Sequence, residues 1–139
     1  MKTVQPSRLL KSVFLCDAAA SGAIATAHLL LPAALHEALG LPRALLAGTG
    51  IFLALYVLLL VALANSRAVW HALALFVVAG HVGWAAASVA LLMSGTVAAT
   101  GLGTAYVLAQ ALGVLAFAAL EWRGLAQSPL ATRTPAALA

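Results

Sequence analysis

Of the 139 residues, 65% are hydrophobic and 7% charged, too few charges to coat a water-soluble fold, so soluble enzymes and soluble binding domains are excluded. The seven Lys and Arg residues stand singly at the ends of apolar runs and form no basic block, which argues for membrane orientation and against a nucleic-acid partner. With one cysteine, Cys16, there is no internal disulfide, CxxC redox pair or thiolate metal cage.

The chain opens with a cationic segment, residues 1–11, that carries Lys2, Arg8 and Lys11. An apolar run follows at about residues 12–31, long enough to cross a bilayer as a helix. A secretory leader also begins with cations, but its apolar core is short and uncharged, whereas this run contains Asp17. The next stretch, PAALHEALGLPR at residues 32–43, predicts a short interfacial helical turn that stops at Gly40, with Pro42 near the first turn of the following helix. Three further runs lie at about residues 44–64, 68–93 and 97–120. Tight links at Asn65-Ser66-Arg67 and Ser94-Gly95-Thr96 predict that the second, third and fourth spans run antiparallel as immediate neighbours. The expected fold is all-α: a single up-down four-helix transmembrane domain over residues 12–125, with residues 126–139 as a disordered tail.

The cations set the orientation. Lys2, Arg8, Lys11, Arg67, Arg123 and Arg133 share one side while Arg43 stands alone on the other, so both termini are expected in the cytoplasm of a bacterial cell, with the chain threading the inner membrane. Trp70 and Trp122, beside Arg67 and Arg123, suit an aromatic belt on that face. Small residues four apart recur in each span: Ala18/Gly22/Thr26, Gly50/Ala54, Ala79/Gly83/Ala87 and Ala105/Ala109/Gly113. These seams favour a close-packed bundle over a wide pore.

Polar side chains inside the spans are few. At 1.5 Å of rise per residue, Asp17 lies about 8 Å from the cytoplasmic edge of the hydrocarbon and His71 about 5 Å, while Tyr56, Gln110, His81 and Tyr106 fall at about 12 to 21 Å and His28 deeper still. Asp17 and His28 share one face of the first helix. Asp17 is the one charged residue read inside any span. At that depth it serves either as a boundary residue, bonding Ser21 one turn on, or as a titrating group that hands protons or a cation to a midplane cluster of His81, Tyr106 and Gln110. The shallow position and the lack of a buried Lys or Arg partner favour the first reading. Interhelical hydrogen bonding is the plainest role for the midplane group.

No catalytic constellation is evident, and neither a cofactor nor a metal is expected. His71 and His81 do not share a helical face as an HxxxH pair does. His28 and His81, on different helices at similar depth, are the one pair open to bis-histidine haem ligation. The glycines sit in apolar helix, not in a phosphate-binding loop.

The string of Asp17 with Ser21-Gly22, Leu39-Gly40-Leu41-Pro42, Trp84 with Ser88, Leu102-Gly103, Gln110-Ala111 and Glu121 with Gly124-Leu125 resembles a group of small four-span bacterial membrane proteins. In size and span count the chain is also similar to DoxX-like proteins. The resemblance implies the architecture and brings no activity. Small multidrug transporters share the four-span layout and an acid in the first helix, but Asp17 lies nearer the cytoplasm than their central glutamate, which speaks against drug efflux.

The sequence thus leads to a non-enzymatic accessory or assembly component that acts through helix contacts in the lipid bilayer, as a homo-oligomer or within a larger membrane complex. A proton- or cation-coupled transporter using Asp17 is the alternative, and a haem-binding membrane subunit the third reading. Reporter fusions at the two termini are expected to read out on the same, cytoplasmic side; readouts on opposite sides would overturn the orientation.

Overall fold

The computed structural model describes residues 2–131. In chain order they form β1 (Thr3–Val4), α1 (Arg8–Leu30), α2 (Pro32–Leu39), α3 (Arg43–Asn65), β2 (Val69–Trp70), α4 (His71–Met93) and α5 (Gly101–Ala126). The helices α1, α3, α4 and α5 are each long and apolar enough to cross a membrane, the make-up of a small multi-pass membrane protein. Large apolar side chains such as Leu58, Phe76 and Met93 point outward and stay exposed, as expected of helices that are apolar all round and meet lipid.

Helix ends follow from local chemistry. Ser7 caps α1, its Oγ accepting from the Leu10 N–H at 3.1 Å, so the helix starts before the apolar run and takes in Arg8 and Lys11. Pro32 opens α2, and Gly40 closes it in the left-handed conformation. Thr100 caps α5, accepting from the Gly103 N–H at 3.0 Å. This places the start of the fourth long helix later than the apolar run suggests, and the helix continues to Ala126. Glu121, read as lying just beyond the fourth span, is therefore inside the helix.

Helix α1 packs on α3 and α5, and α4 packs on α5. Among the described residues, α3 and α4 make little backbone contact with each other, which corrects the expectation of immediate neighbours: their short link makes them adjacent in sequence, but bulky rings hold them apart. Phe52 and Trp84 stack across the gap with centroids 5.4 Å apart, and Tyr56 meets His81 edge-on at 5.8 Å. The small-residue seams divide accordingly. Gly50 receives the His28 and Leu29 side chains, whereas Ala79, Gly83 and Ala87 are exposed on the outside of α4.

Both ends of the bundle are fastened. At the end that carries the termini, β1 pairs antiparallel with β2, and Val4 also bridges to Leu130. The Gln5 N–H donates to the Pro129 carbonyl at 2.8 Å and the Ala131 N–H to that of Thr3 at 2.9 Å. Residues 127–131 are thus held by hydrogen bonds, against the expectation of a disordered tail from 126; residues 132–139 lie outside the described residues. At the opposite end the Thr100 N–H donates to the Leu39 carbonyl at 2.9 Å, and its hydroxyl donates to that of Ala38 at 2.8 Å, latching α5 to α2.

The two ends of α5 depend on missing side chains. A Cβ on Gly103 would strike the Leu39 carbonyl, and one on Gly124 would lie 2.8–2.9 Å from the backbone of Leu10. Apolar clusters fill both ends: Leu10, Phe14, Leu60, Leu63 and Leu125 near the termini, and Leu39, Leu41, Leu46 and Val107 at the other. Gly124→Val is expected to destabilise the protein by about 1–3 kcal/mol through overpacking, while Gly113→Ala, where a Cβ meets nothing within 4 Å, should be tolerated. Unfolding temperatures in detergent will check the pair.

Candidate functional site

Between the two apolar clusters all four long helices line a cavity of about 630 Å³. Its walls are mostly apolar and aromatic, with Phe52, Phe76, Trp84 and Phe117 among them. Phe52, Leu55 and Phe76, each more than half exposed, stand at its mouth along the α3–α4 gap. Asp17, Tyr56, His81, Tyr106 and Gln110 supply the polar lining.

Asp17 is 1% exposed and, among the described residues, pairs with no Lys or Arg. Ser21 Oγ donates to its Oδ1 at 2.9 Å, the bond the one-turn spacing predicts, and Tyr56 Oη donates to its Oδ2 at 2.9 Å. Both carboxylate oxygens are thereby engaged and held by α1 and α3. His81 reaches in from α4, its Nε2 lying 3.1 Å from Asp17 Oδ2, 3.1 Å from Tyr56 Oη and 3.4 Å from Glu121 Oε2. Phe117 stacks on the imidazole with centroids 6.2 Å apart and fixes its plane.

The member the sequence reading missed is Glu121. It is 0% exposed, yet both its carboxyl oxygens lack a hydrogen-bond partner. In a helix each Cα–Cβ bond tilts toward the N-terminus. The side chain of Glu121, near the C-terminal end of α5, therefore leans back into the bundle, while that of His81 leans toward the start of α4 and the two meet. Taking depth from backbone position alone puts Glu121 at the surface and His81 near the midplane.

The expected midplane cluster is divided. His81 joins Asp17, whereas Tyr106 belongs to a second network with His28. Thr49 Oγ1 donates to the Leu46 carbonyl at 3.0 Å and so accepts from His28 Nδ1 at 2.8 Å. This assigns the proton to Nδ1 and leaves Nε2 to accept from Tyr106 Oη at 2.7 Å. Both ring nitrogens of His28 are taken, so haem ligation through its Nε2 would break the hydrogen bond from Tyr106. Gln110, one turn from Tyr106, has its Nε2 buried without a partner and faces the cavity.

Chemically, the first cluster is two carboxyls and one imidazole, all three buried, beside an apolar cavity. Among the described residues neither carboxylate forms an ion pair with a Lys or Arg. A protonated His81 offsets one negative charge and leaves the other uncompensated, a state costing several kcal/mol in an apolar interior. A proton or a bound cation must make up the difference.

Tyr56→Phe removes a donor from a buried carboxylate and is expected to lower stability by about 1–3 kcal/mol. Glu121→Gln removes no hydrogen bond and should cost less than Tyr56→Phe; the reverse order, measured by thermal unfolding, would mark Glu121 as a structural anchor.

Comparison with protein-family models, with curated proteins and with solved structures finds no match for this chain.

Proposed function

We propose that this protein is a small ion-coupled membrane transporter and not an enzyme, in which Asp17, His81 and Glu121 take up and release a proton or cation while the adjoining cavity accommodates the cargo. The observation that carries this reading is a pair of buried carboxyls facing one imidazole, of which Asp17 and His81 line an apolar cavity walled by all four long helices. Intramembrane acids of this kind are expensive to keep and face water-filled or ligand-filled space where they work. The aromatic mouth between α3 and α4 suits an apolar cargo arriving from the lipid side, and Gln110 with Tyr106 offers polar contacts at the far wall. Asp17 then has a working role, not that of a boundary residue. In this reading the protein sits in the bacterial inner membrane with the fastened end, and both termini, in the cytoplasm.

One observation favours the accessory role as a second reading. The Ala79/Gly83/Ala87 face of α4 is exposed, and a Cβ on Gly83 would meet nothing within 4 Å. A face of small residues turned to lipid lets a second helix approach closely, whether from another copy or from a partner in a membrane complex.

Reconstituted into liposomes with an internal pH dye, the parent protein is expected to dissipate an imposed pH gradient. Asp17→Asn and Glu121→Gln should each abolish the flux, and Gln110→Ala should leave proton movement intact. Absence of flux in the parent, or full flux in both acid variants, would end the transporter reading.

A further inference from the structure

The geometry points to a divalent first-row transition-metal cation as a ligand of Asp17, His81 and Glu121. This rests on reading the cluster as an ion-exchanging site, and it names the ion.

Each of the three residues offers one donor atom, all three within 4.8 Å of one another and all buried. With metal–oxygen and metal–nitrogen distances of about 2.0–2.2 Å, donor atoms in a tetrahedral set stand about 3.4 Å apart. His81 Nε2 lies 3.1 Å from the Asp17 oxygen and 3.4 Å from the Glu121 oxygen, so a small shift opens a seat for the ion.

The proton inventory supports a cation. Tyr56 spends its hydroxyl proton on Asp17, leaving His81 Nε2 to face three oxygens, those of Tyr56, Asp17 and Glu121, with at most one hydrogen. That hydrogen does not satisfy Glu121, both of whose oxygens are fully buried and unpartnered. A divalent ion on neutral His81 with two carboxylates closes the charge balance at zero and gives Glu121 its missing partner.

The donor set selects the class. One imidazole and two carboxylates suit the manganese-to-zinc series, and no thiolate is present to favour cuprous copper. Cys16, though next to Asp17 in sequence, is exposed. Ser21 and Tyr56 orient the Asp17 carboxylate as outer-shell partners do in metal sites. The cavity alongside has room for the water that completes the shell.

The test uses the full chain in detergent, titrated with Co²⁺ and followed by the visible absorption of the bound ion. One Co²⁺ per chain is expected, displaced by Zn²⁺, with affinity lowered by more than about tenfold in Glu121→Gln and in His81→Gln. X-ray absorption on the parent protein needs no variant and should show one imidazole nitrogen among oxygen donors. No binding of either ion by the parent, unchanged binding in both variants, or a shell with sulfur or several imidazoles would overturn the assignment. Proton flux without metal binding sinks the metal and spares the transporter; metal binding without any flux does the opposite.

Discussion

Two carboxyls enclosed with a single imidazole leave an electrostatic debt that no Lys or Arg among the described residues settles. Asp17 is provided for, since Ser21 and Tyr56 both donate to it. Glu121 is not, being buried with neither oxygen bonded. The asymmetry matters more than the number of acids: an anchored carboxylate can be structural, while an adjacent unanchored one makes the local charge depend on what enters from outside.

The surrounding architecture keeps this region both closed and accessible. Close backbone approach at Gly103 and Gly124 seats α5 firmly at its two ends, and the apolar clusters above and below are well packed. Between them α3 and α4 stand apart, bridged by Phe52 on Trp84 and Tyr56 on His81. Ring contacts across a gap yield more readily than interlocked backbones, and this loosely joined seam lies beside the charged cluster.

The broad fold was legible in the sequence because bilayer thickness fixes helix length and apolar runs report it directly. The four spans, the short helix ending at Gly40 and the common side of the two termini all followed from such local signals. Helix order around the bundle followed in part: α4 and α5, joined at Ser94, do pack together, whereas the link at Asn65 says nothing about rings such as Phe52 and Trp84 that stand between α3 and α4. The site was half legible. Asp17 and His81 stood out as polar residues in apolar runs, whereas Glu121 sat beside Trp122 and Arg123, where a charged residue at a helix end is ordinary. The pairing of Tyr106 with His28 instead of His81 depended on helix rotation, which spacing along one helix does not determine.

The small clasp joining β1, β2 and Leu130 brings together residues from the beginning, the middle and the far end of the described chain. A local hairpin closes over a short turn, but this clasp forms only when segments far apart in the chain meet, at the entropic cost that long loops carry. Ser7 and Gly124 are tied at the same place, Ser7 Oγ donating to the Gly124 carbonyl at 2.8 Å. Seating of the first and last long helices is therefore coupled, so loosening the start of α1 also loosens the end of α5.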